Sequence, residues 1–107
     1  MINETVTIKR QNRLDKTLWF QSYYIDEKHK LGIFDSEVFS FERQFEMYSK
    51  PYLNIYQSIN GRLKSICKMN DGKFYEAHQF VKKRLIEMFA KMHKVPKNEI
   101  TITFINN

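Results

Sequence analysis

The sequence predicts an α+β domain: a mostly antiparallel sheet of five to seven strands, one long helix over about residues 72–94 packed on one face, and a C-terminal strand. Three observations carry this. "FYEAHQFVKKRLIEMFAKMHK" repeats apolar residues at helical spacing. "EITITFIN" alternates β-branched and aromatic residues with threonine, as a pleated surface requires. Asn60-Gly61 separates two strand-like runs, and this pair best tolerates the positive φ angles of a type I′ hairpin turn.

Taken in order, "ETVTIKR" alternates through Val6 and Ile8 and reads as a first strand. "TLWFQSYYI" and "KLGIF" flank the polar "DEKHK" and read as two strands joined by a loop. "SEVFSFERQFEMYSK" fits a helix or a strand. As a strand it gathers Phe39, Phe41, Phe45 and Met47 on one face and strands fewer large apolar groups in water, so strand is preferred. Pro51 then falls in the turn to a hairpin of residues 52–59 and 62–69. The helix carries Phe74, Ala77, Val81, Leu85, Met88 and Met92 on one stripe, bordered by His78 and Phe89. Asn70 or Asp71 is expected to cap its start, Glu87 and Lys91 to pair one turn apart, and Val95-Pro96 to end it. In the last strand Ile100, Ile102 and Phe104 take one side, and Thr101, Thr103 and Ile105 the other.

A chain of 107 residues with 42% hydrophobic and 15% aromatic side chains is expected to form a single domain over residues 1–107 with a real core. Cys67 stands alone and fits a reducing compartment. The N-terminus has no apolar signal core, and no apolar run approaches the ~20 residues of a membrane helix. The expectation is a cytoplasmic protein that does not use a membrane. Abundant Lys, Asn, Ile, Phe and Tyr suit an AT-rich coding sequence such as that of a phage or mobile element.

Net charge is +6 and lopsided: residues 1–50 hold 8 basic and 8 acidic side chains, residues 51–107 hold 10 and 4. Such a half favours an acidic partner, either nucleic acid or an acidic protein surface, although the same charge also serves solubility. Arg62, Lys64 and Lys68 fall at even spacing on the second hairpin strand and are expected to share a face, where they would contact phosphates with help from Lys82 and Lys83. The other helix cations decorate a solvated surface. Ile86 points away from the apolar stripe and either touches another segment or marks a contact.

In the aromatic stretch, Trp19, Tyr23 and Ile25 share one side of a strand, and Leu18, Phe20 and Tyr24 the other. Rings on both sides fit a strand covered on both faces, or a stacking platform with Trp19 and Tyr23 as its rings and Lys9, Arg10, Arg13 and Lys16 nearby. Burial of the rings is the preferred reading. Three glycines build no phosphate loop, dinucleotide fingerprint or nucleophile elbow, and His29, His78 and His93 match no metal spacing. His78 reads as a satisfied core-edge histidine. Lys64 and Lys68 neighbour Cys67, but no base accompanies the thiol. No catalytic residue, metal ligand or cofactor is expected.

The function expected is therefore a small basic non-enzymatic module associated with nucleic acid. The alternative is a protein-binding inhibitor or adaptor docking on a larger enzyme. A homodimer through residues 100–105 is compatible with both.

Overall fold

The computed structural model describes residues 1–12, 19–26, 35–45 and 50–106. They form one six-stranded mixed sheet with a single long helix packed against it. The strands are β1 (Ile2–Asn12), β2 (Trp19–Asp26), β3 (Asp35–Gln44), β4 (Tyr52–Ile59), β5 (Arg62–Asn70) and β6 (Ile100–Asn106), and the helix is α1 (Phe74–His93). The order across the sheet is β5-β4-β3-β2-β1-β6. Neighbours from β1 to β5 pair antiparallel, as expected of chain-sequential strands, while β6 returns parallel to β1 after the helical crossover. The stretch "KLGIF" lies outside the described residues.

Alternation decides which face each side chain takes. Val6 and Ile8 of β1, Tyr23 and Ile25 of β2, Phe39 and Phe41 of β3, and Leu53 and Ile55 of β4 are buried under α1. From α1, Ala77, Val81, Leu85, Phe89 and Ala90 complete this core. The apolar stripe runs nearer Phe89 than its spacing predicts: Phe74 and Met92, at its two ends, are exposed. Ile86 packs partly buried against the core, so it touches another segment. Residues 35–44 are strand, which settles the helix–strand ambiguity. However, β3 ends at Gln44, so Phe45 does not join the row of Phe39 and Phe41 and is 48% exposed. Met47 lies outside the described residues.

The hairpin turns where expected, with Asn60 at φ 52° and Gly61 at φ 77°. The start of α1 differs from the sequence reading, whereas its end falls just before Val95-Pro96 as expected. The residue before its first turn is Lys73, with no side-chain cap. Asp71 instead accepts from the Arg43 guanidinium at 2.9 and 3.2 Å, which holds its carboxyl below the usual range. At the C-terminus Lys94 takes the left-handed conformation (φ 56°), with Val95 N–H donating to Ala90 C=O and Lys94 N–H to Lys91 C=O. This is the double reverse bond that closes many helices, here without glycine. Glu87 reaches past the end to Lys97 (3.5 Å) rather than to Lys91.

Candidate binding face

Under the helix, one polar chain runs through the core. The Arg10 guanidinium can only donate, so its Nε fixes Gln21 Oε1 as the acceptor (2.6 Å). The Gln21 amide nitrogen then donates to the Tyr23 hydroxyl (2.7 Å). Tyr23 has a single hydrogen, which must go to His78 Nδ1 (2.8 Å). His78 is therefore neutral, with its proton on Nε2. Burial pushes the Tyr23 hydroxyl well above its ordinary pKa, and burial with Lys82 and Arg10 nearby pushes His78 below its own. Phe104 sets its ring edge-on to the imidazole, 4.7 Å between centroids. The histidine is thus a satisfied core-edge group. Tyr23, in contrast to its assignment as a possible stacking ring, is fully buried and unavailable to any base. The Trp19 side chain lies outside the described residues.

Among the described residues, no helix lies over the other face of the sheet. Gln11, Phe20, Glu42, Asn54 and Lys68 form one row across five strands, and Lys9, Ser22, Ser40, Tyr56 and Ser65 the next. Ser22 and Ser40 sit directly opposite each other and are buried. Above this pair lies a shallow cavity of about 330 Å³, walled by Phe20 and Tyr24 and rimmed by Lys9, Glu37, Glu42 and Leu63. The Lys9 ammonium stands 4.5 Å from the centre of the Tyr24 ring, and the Lys68 ammonium 5.2 Å from that of Tyr52.

Beside the cavity, the Gln44 side chain is held by four bonds. It donates to Glu42 and to the Tyr56 hydroxyl (2.8 Å), and accepts from Tyr52 (3.4 Å) and Asn54 (3.0 Å). Asn54 also donates to the Tyr56 hydroxyl (3.0 Å) and accepts from Ser65. Both bonds to Tyr56 use its oxygen as acceptor, so its own hydrogen stays available to an incoming acceptor. Burial raises the Tyr56 pKa, with Glu42 adding to the effect. The phenol therefore stays protonated at neutral pH.

The expected basic face divides. A β-bulge between Ile55 and Tyr56 makes Ile66 an extra residue, so Ser65 and Cys67 lie on opposite faces despite even spacing. Lys68 stands on the uncovered face beside Asn54, whereas Arg62 and Lys64 pair with Ile59 and Gln57 on the helix side. Lys82 and Lys83 are consecutive on α1 and diverge by about 100°. The five cations are thus distributed over both sides of the sheet and around the helix. Cys67 packs partly buried at the margin of the core, its Sγ 3.8 Å from the Lys68 carbonyl. Among the described residues no cluster of His, Cys, Asp and Glu could hold a metal ion, and no helix is long and apolar enough to cross a membrane.

The uncovered-face residues Tyr52, Asn54 and Tyr56 escape a reading for phosphate contacts because they are neutral. Their signal is the alternation of "YLNIY", where Leu53 and Ile55 take the core and the polar rings face away. No family model matches the chain, and no curated protein or solved structure matches it either.

Proposed function

We propose that the chain is a non-enzymatic module that binds single-stranded nucleic acid on the uncovered face of its sheet. The observation that carries this is the pair of ring–ammonium contacts, Lys9 with Tyr24 and Lys68 with Tyr52, on a chain of net charge +6. Bases stack on aromatic rings whatever their sequence, and ammonium groups beside those rings meet the phosphates between them. The cavity over Ser22 and Ser40 suits one flat ring, and Tyr56, held in place by Gln44 and Asn54, offers its hydroxyl hydrogen to a base edge. Arg62 and Lys64 at the β5 margin extend phosphate contacts over the edge.

Anisotropy titration of a labelled oligothymidylate of about 16 nucleotides tests this. Binding should appear at low salt and weaken as salt rises. Tyr24→Ala and Tyr52→Ala should each weaken it roughly five- to 150-fold, the equivalent of ~1–3 kcal/mol per stacked base. Lys68→Ala should lower the salt slope by about one. No affinity at low salt, or affinity untouched by the two tyrosine changes, rejects the reading.

Docking on a larger protein is the second reading, favoured by Glu37 and Glu42, which stand with Lys9 at the cavity and offset its charge. A face of tyrosine, serine and amide side chains also suits protein contacts. A stoichiometric protein partner that is lost on Tyr24→Ala and Tyr52→Ala, with no oligonucleotide binding, would establish it.

A further inference from the structure

The sheet has two edges, and they are made differently. β5 carries Arg62, Lys64 and Lys68 and is interrupted by a bulge. Both devices discourage pairing with another strand. β6, "ITITFIN", has no charge, no proline and no bulge in its seven-residue register with β1. Among the described residues no strand pairs with its outer side. Such an edge offers a row of backbone donors and acceptors to a strand of matching length.

We propose that β6 pairs antiparallel with β6 of a second copy of this chain, across a two-fold axis at Thr103. The strand is complementary to itself in that register. Thr103 meets Thr103, Thr101 meets Ile105, and Ile102 meets Phe104 on the helix side. Threonine pairs and aromatic–β-branched pairs are favourable cross-strand combinations. No like charges oppose each other, whereas β5 paired with itself about Ile66 would set Lys64 against Lys68. A two-fold axis perpendicular to the sheet keeps both helices on one side and both uncovered faces on the other. The two cavities then lie on one continuous surface, and a symmetric contact of this kind closes without growing into a fibre. This inference rests on the edge strands and stands whether the uncovered face binds nucleic acid or protein.

Sedimentation velocity of the full chain over a dilution series tests it. The expected species has twice the 13.0 kDa chain mass. Thr103 is exposed, so Thr103→Lys keeps the fold and places two ammonium groups across the axis. The association should weaken by about tenfold or more, as for like charges juxtaposed in an interface. Mixing Thr103→Lys with Thr103→Glu should restore the dimer. Thr101→Lys combined with Ile105→Lys gives a second disruption should the first variant misfold, which circular dichroism would report. A wild-type chain that sediments at 13.0 kDa at every concentration overturns the proposal, as does a dimer that neither variant weakens.

Discussion

The two faces of the sheet come from the same strands, yet Tyr23 and Tyr24, adjacent in sequence, have opposite fates. Tyr23 is sealed beneath α1 with its hydroxyl committed to Gln21 and His78. Tyr24 stands on the far side, half-exposed, with a lysine ammonium over its ring and a cavity beside it. The covered face is nearly continuous hydrocarbon and carries one polar chain with directed hydrogen bonds. The uncovered face keeps aromatic rings but sets serine and amide groups among them. A chain this rich in rings has more of them than α1 covers, and alternation places Phe20, Tyr24, Tyr52 and Tyr56 on the opposite face.

The contrast is sharpest in stability. Phe39→Ala, on the covered face, should cost about 3–5 kcal/mol by denaturant titration, the usual loss for truncating a buried ring. Tyr24→Ser, on the uncovered face, should cost no more than about 1 kcal/mol, in the range of surface substitutions. Equal losses would mean that both faces are core.

A smaller effect isolates the polar chain. Tyr23→Phe keeps the ring but leaves the Gln21 amide and His78 Nδ1 without their partner. The cost should be about 1–3 kcal/mol, as for a buried group left unsatisfied. The corresponding change on the other face, Tyr52→Phe, removes one long bond to Gln44 and should be nearly neutral.

The mildest effect is in pH. Burial, with Lys82 and Arg10 nearby, holds His78 below its ordinary pKa of 6.5 in the folded state, so unfolding takes up a proton under mildly acidic conditions. Its contribution to stability is complete above that value and declines as pH falls through it, until the folded-state pKa is reached. Melting temperature should therefore drop on acidification from pH 7 to pH 5, and His78→Asn, which keeps an acceptor for Tyr23, should flatten the drop. A wild-type profile already flat across this range would show that the imidazole does not titrate differently on folding.

Much of the fold is legible in the sequence because periodicity reports burial directly. The spacing of Ala77, Val81 and Leu85 marks the helix, Asn60-Gly61 marks the turn, and Ile100, Ile102 and Phe104 mark the covered side of β6. The site is less legible, for three physical reasons. Bulges at Tyr23/Tyr24 and Ile55/Tyr56 add a residue and reverse the facing beyond it, so even spacing did not keep Lys64 and Lys68 together. Rings on either side of β2 look alike until the helix takes one side, and only the tertiary structure assigns Tyr23 inward and Tyr24 outward. Capping depends on competition as well: Asp71 has a short acceptor in the right place, but Arg43 from β3 claims it across 28 positions of sequence.

The parallel pairing of β1 with β6 also bears on how the chain is made. Ile2 finds its partner in Ile100, and β1 lies between β2 and β6. During synthesis the hairpins from β1 to β5 can assemble from local contacts, but the flank of β1 that receives β6 waits until residues 100–106 have left the ribosome. Closing so distant a contact is slow compared with forming the hairpins. For that interval the nascent sheet carries a vacancy into which another unfinished chain could insert, and the arrival of β6 fills it.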